Sequence, residues 1–345
     1  MAVPLTVAWY GFDDPAYACA RLRVLEPANA LGPAVRLLAG AVPHGPGHRV
    51  RTDILDAADL LLIQRYFPSP ATAPVLEAVF ASGKPVVYDT DDDWTAVPPD
   101  HPFAPRMAGI LPHILETARR ADCVTVSTTV LAAVFRPLNP RVRVVRNFLP
   151  DALWRPVPPP DRPVVAVGLA GTPSHGPDLA PLASALSGLA GTLGEHVRFV
   201  FFGCTPPAGT FPGATTLPFT PDYAAYAARL PRLGCGVGLA PLADTPFNRA
   251  KSPMKWMEYA AAGMAGVFAD LPPYREVVEP GVTGLLAGPD PAAWHEAVSR
   301  LVCDAALRRR MAGRAMEAVA AGHLLSAGAR EYLDAWTRVA AGEPL

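Results

Sequence analysis

The chain has 345 residues, half of them hydrophobic, and its 30 basic and 31 acidic side chains leave a formal net charge of -1 at pH 7. This length allows two domains of ordinary size with substantial cores. The balanced charge gives no electrostatic case for binding nucleic acid or an anionic membrane surface.

The five cysteines are scattered without Cys-x-x-Cys spacing, which is typical of reduced, buried thiols in a cytosolic protein. The N-terminus lacks the basic start and apolar core of a signal peptide, and no apolar run approaches the roughly 20 residues that span a bilayer. The sequence therefore predicts a cytoplasmic protein without a transmembrane segment, for which peripheral membrane contact stays open. The histidines show no metal-ligand spacing, so no metal site is predicted.

In the first half of the chain, continuous apolar runs alternate with helical stretches. Runs that are apolar throughout, rather than at every second residue, are typical of strands buried on both faces of a parallel sheet. The predicted strands are 5–11, 35–40, 60–65, 85–90, 123–127 and 142–147, and helices are predicted at 74–82 and 109–120.

A proline-rich stretch at 155–163 interrupts this rhythm. Consecutive prolines can neither continue a helix nor donate ladder hydrogen bonds, so the stretch is predicted to be a stiff linker. The rhythm then restarts, with predicted strands at 164–171, 197–203, 235–241, 266–270 and 283–288 and helices at 177–188, 222–230, 253–263, 291–302 and 304–320.

The alternation of strands and helices predicts an α/β protein with two doubly wound, Rossmann-like parallel-sheet domains that face a cleft. The predicted boundaries are 1–154 for the first domain, 155–163 for the linker and 164–325 for the second domain. Ligands of such sheets bind beyond the carboxyl ends of the strands, so the site is expected there.

The stretch from Phe247 to Asp270 is the most informative part of the sequence. A loop with Lys251, Ser252 and Lys255 runs into a predicted helix that carries Glu258. Two lysines beside the positive end of a helix suit a diphosphate, and a carboxylate one turn further could accept hydrogen bonds from a ribose diol. A surface ion pair between Lys255 and Glu258 explains the same residues equally well.

These residues begin a pattern that extends through nearly the whole second domain in order and spacing. The pattern resembles the retaining glycosyltransferases of the GT-B fold, in the large family-four group. The matching residues are Glu258–Gly263, Tyr274–Val278, Gly281–Leu286, Trp294 and Leu307-Arg308. A bacterial subgroup of this family is resembled more loosely by Leu62–Arg65, Val87–Asp92, Ala121–Ser127, Arg146-Asn147 and Gly171–His175.

The resemblance implies a metal-independent, retaining glycosyltransferase that moves a sugar from a nucleotide diphosphate donor to an acceptor hydroxyl. Its partners would be the nucleotide-sugar donor and a hydroxyl-bearing acceptor, with no other cofactor, in polysaccharide or natural-product biosynthesis. Residues 1–154 would form the acceptor-side domain and 164–325 the nucleotide-sugar-binding domain, with residues 326–345 crossing back to the first. A sugar-nucleotide epimerase of similar fold and a non-enzymatic two-domain sugar-binding protein stay open as alternatives.

Further site residues follow from positions at strand ends together with the resemblance. The predicted donor-binding residues are Gly11, Thr172, His175, Lys251, Ser252, Lys255, Glu258 and Glu276. Arg21 and Arg65 are predicted to bind the acceptor or an anion. An ordinary turn glycine at Gly11, a solvated loop residue at His175 and surface cations paired with carboxylates are the alternatives.

One position departs from the pattern of the family. The family usually has two glutamates separated by seven residues; Glu258 matches the second, and Ala250 stands where the first would be. The donor-sugar contact of that first glutamate therefore cannot be transferred to this chain.

A cluster of aspartates ends the predicted strand 85–90, in the stretch Val86–Trp94. We predict that Asp91 and Asp92 orient or deprotonate an acceptor hydroxyl and that Asp89 is structural. A helix N-cap ahead of Trp94 and an Asp-x-Asp metal site are the alternatives. The metal reading is disfavoured because the two lysines could neutralise the diphosphate instead.

Overall fold

A computed structural model describes residues 3–45 and 47–343, which form two compact units. The first unit runs from the N-terminus to Phe148 and includes Ala250–Ser252 and the C-terminal segment from Leu325 onward. The second unit comprises Leu149–Arg249 and Pro253–Leu324, so residues 155–163, which form no helix or strand, belong to it.

The first unit is built on a parallel sheet of six strands. In chain order the strands of the whole unit are β1 Leu5–Tyr10, β2 Val35–Ala39, β3 Ala41–His44, β4 Gly47–Val50, β5 Leu60–Gln64, β6 Val86–Thr90, β7 Cys123–Val126 and β8 Val142–Val144. The sheet order is β2-β1-β5-β6-β7-β8, while β3 and β4 form a separate antiparallel hairpin. Strands β5, β6 and β7 are buried along their whole length, as the continuous apolar runs predicted.

The second unit repeats this architecture with another six-stranded parallel sheet. Its strands are β9 Val165–Ala170, β10 Val197–Phe202, β11 Thr215–Leu217, β12 Cys235–Ala240, β13 Ala265–Ala269 and β14 Leu285–Ala287, in the order β11-β10-β9-β12-β13-β14. The edge strand β11 was not predicted, because its three residues are mostly exposed and carry no apolar run.

Helices connect the strands in both units. They are α1 Ala18–Ala20, α2 Glu26–Leu31, α3 Ala73–Ala81, α4 Ala104–Arg120, α5 Thr129–Phe135, α6 Gly176–Leu179, α7 Ala183–Leu193, α8 Tyr223–Arg229, α9 Pro246–Arg249, α10 Met254–Ala261, α11 Pro272–Arg275, α12 Pro291–Cys303, α13 Ala305–Gly322 and α14 Leu325–Ala340. A π-helical segment, Arg21–Leu25, joins α1 to α2. None of the described helices is long and apolar enough to cross a membrane.

The core of the first unit consists of two buried clusters. One contains Tyr88, Trp94 and Phe135, and the other contains Trp9 and Phe148 together with α14. Helix α14 therefore completes the first unit through its buried aromatic residues, although it follows the second unit in the chain.

Each sheet has one point at which the strand order reverses. The reversal lies between β1 and β5 in the first sheet and between β9 and β12 in the second. Doubly wound sheets bind ligands at the carboxyl ends of the strands beside such a reversal. The predicted fold class, an α/β protein with two doubly wound parallel sheets, is confirmed, and the loops after these four strands are the places to examine for a site.

Candidate functional site

Arg65 occupies the strand-order reversal of the first sheet, directly after β5. Its side chain is buried, and its backbone has a φ of 53°, a left-handed conformation that few non-glycine residues adopt. The guanidinium lies over the rings of Trp94 and Tyr66, with its central carbon 4.9 Å and 5.6 Å from their centroids. This packing fixes the cation inside the unit instead of leaving it on the surface.

Three carboxylates surround this guanidinium. Asp13 lies 3.1 Å and Asp92 3.0 Å from its nitrogens, and Asp91 forms a third, shorter contact. Burial acts to lower the pKa of Arg65, but the adjacent Asp91 and its neighbours raise that pKa well above the ordinary value. Arg65 therefore stays charged and holds the two predicted catalytic aspartates in place. It does not offer an open cation to an anion, as the prediction of an anion-binding Arg65 required.

Tyr66 extends the same cluster. Its hydroxyl donates to Asp13 at 2.5 Å, and burial followed by the charge of Asp13 raises the pKa of Tyr66. The phenol is therefore neutral at physiological pH and acts as a donor to the carboxylate. Neither Asp13 nor Tyr66 was singled out from the sequence, because both lie outside the matching motifs and become neighbours of Arg65 only in the folded chain.

The other aspartates of the Val86–Trp94 stretch have separate structural roles. Asp89 receives two hydrogen bonds from the buried Arg23, at 2.6 Å and 3.1 Å, and one from Thr125 at 2.6 Å. Asp93 accepts a hydrogen bond from the Thr95 amide and caps a short 3₁₀ turn. Asp89 thus ties side chains together, and the N-cap alternative applies to Asp93.

Residues 250–252 pack with the first unit. The carbonyl of Ala250 accepts a hydrogen bond from Thr128 at 2.9 Å, and the Ser252 hydroxyl accepts one from Asn147 at 3.1 Å. The Lys251 ammonium lies 4.0 Å from Asp92. Two predicted donor-binding residues, Lys251 and Ser252, are therefore positioned by the first unit.

Lys251 also influences a nearby histidine. Burial lowers the pKa of His101, and the positive charge of Lys251 acts in the same direction. Near neutral pH this imidazole is therefore uncharged, and the cationic groups of the cluster remain Arg65 and Lys251.

In the second unit, the loop after β9 stands at the strand-order reversal. The His175 imidazole lies so close to Gly171 that a Cβ there would be 2.5 Å from the ring. Nδ1 of His175 is 2.9 Å from Asp178, whose other oxygen accepts hydrogen bonds from the Ala243 amide at 2.8 Å and the Asn248 side chain at 3.1 Å. Asp178 therefore joins the loops after β9 and β12 and orients His175.

The hydroxyl of Thr172, in the same loop, is 2.6 Å from that of Ser174. Both residues are half-buried, as is His175, at the end of β9 where the sequence placed them. Asp178 was not predicted; its only sequence signal is an acidic residue three positions after the histidine.

Helix α10 carries a second polar network, which is buried. The Lys255 ammonium lies 2.7 Å from the Glu258 carboxylate, so the ion pair named as an alternative does form, but in the interior and not on the surface. The carboxylate also accepts hydrogen bonds from the hydroxyls of Tyr226 at 2.8 Å and Tyr223 at 3.3 Å. Burial and the charge of Glu258 raise the pKa of Tyr226 well above its ordinary value. Trp154 completes the network by donating to the Tyr223 hydroxyl at 3.1 Å.

Three predicted site residues lie apart from these networks. Gly11 packs against Trp9, whose indole nitrogen would be 2.7 Å from a Cβ at this position, so only glycine fits there. Arg21 is half-buried and pairs with Glu26. Glu276 is exposed directly after α11.

In the described part of the chain, no group of three or more histidine, cysteine, aspartate or glutamate side chains is arranged to hold a metal ion. The carboxylates of Asp13, Asp91 and Asp92 converge on a guanidinium.

Comparison with known proteins gives a family match and a set of structural neighbours. Residues 222–334, a third of the chain, match the family described as glycosyl transferase-like. This segment contains α8 and α10, and therefore the Tyr226–Lys255–Glu258 network. No curated protein sequence matches the chain.

Solved structures share the fold at low identity. Sucrose-phosphate synthase from Thermosynechococcus elongatus superposes with a TM-score of 0.72 at 15% identity, covering 98% of this chain and 100% of that one. Anabaena HepE in complex with UDP-glucose has a TM-score of 0.64 at 16% identity, covering 96% of this chain and 100% of that one. A glycosyltransferase from Rickettsia africae has a TM-score of 0.64 at 12% identity, covering 98% of this chain and 99% of that one. These likenesses confirm the predicted GT-B type of fold, and the family match supports the predicted enzyme class, a glycosyltransferase.

Proposed function

We propose that this chain is a glycosyltransferase that moves a sugar from a nucleoside diphosphate to an acceptor hydroxyl, with retention of configuration and without a metal ion. The observation that carries the proposal is the location of the Tyr226–Lys255–Glu258 network. It lies inside the segment that matches the glycosyl transferase-like family, in a unit built on a doubly wound sheet. The family-four subgroup and the cytoplasmic location stay predictions from the sequence.

On the donor side, Glu258 is proposed to bind the ribose. A carboxylate has about four lone-pair sites. Glu258 uses three of them, for Tyr223, Tyr226 and Lys255, which leaves capacity for one ribose hydroxyl. The tyrosines hold the carboxylate in one orientation, so little side-chain entropy is lost on binding.

The remaining donor residues are proposed to act by charge and position. Lys255 and Lys251 would stabilise the diphosphate as negative charge develops on it during transfer. Thr172, Ser252 and His175 would donate hydrogen bonds, with His175 oriented by Asp178. The proposed contact of Gly11 with the donor rests on its position after the first strand, and that of Glu276 rests on the sequence resemblance.

On the acceptor side, Asp91 and Asp92 are proposed to orient the hydroxyl and to accept its proton. Arg65 supports this role because it holds both carboxylates beside one fixed cation. The same cation supports metal independence, since it supplies the charge balance that a divalent ion would otherwise provide.

A thermal-shift panel of UDP, GDP, dTDP and ADP, each alone and with its sugars, tests the proposal. A ligand that binds only the folded state raises the melting temperature as its concentration exceeds the Kd. We expect one nucleoside diphosphate to stabilise the protein, and UDP is the first to test because HepE structures contain UDP and UDP-glucose. The absence of any shift in the whole panel would refute the donor assignment.

The acceptor-side roles are tested with Asp91→Asn and Asp92→Asn. Each variant should lower release of nucleoside diphosphate from the sugar donor by about 10²- to 10⁴-fold, the range for loss of a general base. Nucleotide affinity should be unchanged. Turnover by the unaltered protein should survive EDTA; loss of turnover that manganese restores, with weaker donor binding by both variants, would identify a metal site instead.

A further inference from the structure

A cavity of about 410 Å³ lies at the carboxyl ends of β12, β13 and β14. Pro241, Ala269 and Ala287, at or just beyond the ends of these three strands, form part of its lining. Its volume falls in the range of small-molecule sites, and its position is the one that doubly wound sheets use for ligands. None of the predicted site residues lines it.

The inner wall of this cavity is apolar. Leu182, Leu271 and Trp294 are buried there, and Leu242 is half-buried. Two polar side chains border the same wall and already have partners: the Trp294 indole donates to the Gly288 carbonyl at 2.9 Å, and the Asp178 carboxylate accepts hydrogen bonds from Ala243 and Asn248 and lies 2.9 Å from Nδ1 of His175. A ligand hydroxyl directed at the side chains of Leu182, Leu271 and Trp294 would lose its water partners and find no hydrogen-bond acceptor among them.

The rim of the cavity is charged and more exposed. Asp244 pairs with Arg249 at 2.5 Å, and Asp270 pairs with Arg275 at 2.6 Å. About half of each arginine side chain is accessible to solvent. Ligand hydroxyls at the rim would therefore find carboxylate acceptors and guanidinium donors.

This division suits a ligand with hydroxyls on one side and an apolar group on the other. We infer that the cavity receives the transferred sugar and that this sugar is a 6-deoxyhexose, with its methyl group against the apolar wall and its ring hydroxyls at the rim. The inference rests on the proposed function. Asp178 connects the cavity with the proposed donor site, because it lines the cavity and orients His175, a proposed donor contact.

The preference for the deoxy sugar should be moderate. An apolar pocket that meets one additional hydroxyl discriminates by roughly 10- to 100-fold, since the hydroxyl is only partly rejected. The ordinary hexose should therefore still bind, more weakly, in the same site.

Calorimetry with UDP, UDP-glucose and UDP-6-deoxyglucose tests the inference, or the corresponding set on whichever nucleoside diphosphate the panel selects. The 6-deoxy donor should bind at least about 10-fold more tightly than the hexose donor. Leu242→Asn, which offers the additional hydroxyl a partner, should reduce this ratio several-fold and leave the affinity for UDP unchanged. Leu217→Asn is the matched control, because Leu217 is also half-buried in the second unit but does not line the cavity.

The outcomes separate the inference from the proposed function. The 6-deoxy assignment would be refuted if the two sugar donors bound with equal affinity, or if Leu242→Asn and Leu217→Asn had the same ratio of the two affinities. Binding of UDP would still support the proposed glycosyltransferase in either case. Failure of every nucleoside diphosphate to bind would refute the proposed function itself.

Discussion

Arg65 shows how a single residue can be given an unusual backbone by its surroundings. A left-handed conformation costs a non-glycine residue on the order of 1 kcal/mol or more. Contacts with Asp13, Asp91 and Asp92 and the ring of Trp94 over-determine the position and offset that cost. Such strain is often found at functional sites, which agrees with the proposed acceptor role of this cluster.

Replacing Arg65 should therefore strongly lower the free energy of unfolding. Arg65→Ala would leave buried carboxylates without a cation, which typically costs about 3–5 kcal/mol of unfolding free energy. The stability of Arg65→Lys should lie between those of the unaltered protein and Arg65→Ala, since an ammonium keeps the charge but lacks the planar fork of donors. Urea unfolding measures both, and Arg21→Ala is the control, because its partly exposed pair with Glu26 should contribute less than about 1 kcal/mol. Equal losses for Arg65→Ala and Arg21→Ala would contradict the buried cluster.

Glu258 offers a sharper test of ligand contact. If its carboxylate accepts a hydrogen bond from the ribose, Glu258→Ala should weaken nucleotide binding by about 1.5–3 kcal/mol, or roughly 10- to 100-fold. The same variant should also destabilise the fold, because Lys255 and Tyr226 lose their partner.

A double-mutant cycle separates these two effects. In the unaltered protein the 2′-deoxynucleotide should bind more weakly than the ribonucleotide, and in Glu258→Ala the two should bind alike. Tyr223→Phe serves as the control, since it perturbs the network but leaves the carboxylate. A ribose preference that persists in Glu258→Ala would remove Glu258 from the proposed donor site.

At the scale of elements, the sequence predicted what depends on burial. The runs that became β5, β6, β7, β9 and β12 are mostly apolar, without alternation of apolar and polar residues, and all five strands are buried along their whole length. It did not predict β11, the β3–β4 hairpin or the π-helical segment before α2. The first two are short and partly exposed, so no burial pattern marks them. The π-helical segment accompanies Arg23, whose buried partner Asp89 is distant in sequence.

Helix α14 gives a prediction in which packing opposes intrinsic propensity. Glycine to alanine inside a helix usually stabilises by about 0.5–1 kcal/mol. At Gly328, however, a Cβ would lie 2.0 Å from the ring of the buried Phe148, so Gly328→Ala should destabilise.

The matched control is Gly313→Ala in α13, where a Cβ would meet no atom within 4 Å and the substitution should stabilise. Thermal unfolding of the two variants should therefore shift in opposite directions. A stabilised Gly328→Ala would show that α14 does not pack this closely on Phe148.

For the whole molecule, the architecture was predictable but the pairing of its charges was not. Alternating strands and helices identify two doubly wound sheets, because the burial pattern is local in sequence. The pair of Lys255 and Glu258 is local and was named from the sequence, but the tyrosine partners of Glu258 lie more than thirty residues away in α8. The partners of Arg65 are distributed over two other loops. Such distant contacts form only when the sheet order brings strand ends together, so the sequence indicated the site residues without these distant partners.

The exposed ion pairs predict how the stability of the whole molecule depends on pH. Arg275, through its hydrogen bond, holds the pKa of Asp270 below the ordinary value of 3.8, and Arg249 does the same for Asp244. A carboxyl whose pKa is lower in the folded state than in the unfolded state stabilises the fold above the unfolded pKa. That contribution disappears as the pH falls through the lower, folded pKa.

Arg275→Gln should therefore be less stable than the unaltered protein at pH 7. The difference should begin to shrink as the pH approaches 3.8 and should vanish once the pH has fallen through the lower, folded pKa of Asp270. Added salt should reduce the difference at pH 7, because the pair is exposed and within reach of counterions. Chemical unfolding at pH 7 and at acidic pH, with and without salt, measures this. Arg65→Lys is the contrasting variant, because the stability of its buried cluster should respond little to salt. If the stability difference between Arg275→Gln and the unaltered protein were constant with pH, Arg275 would act through packing and not through charge.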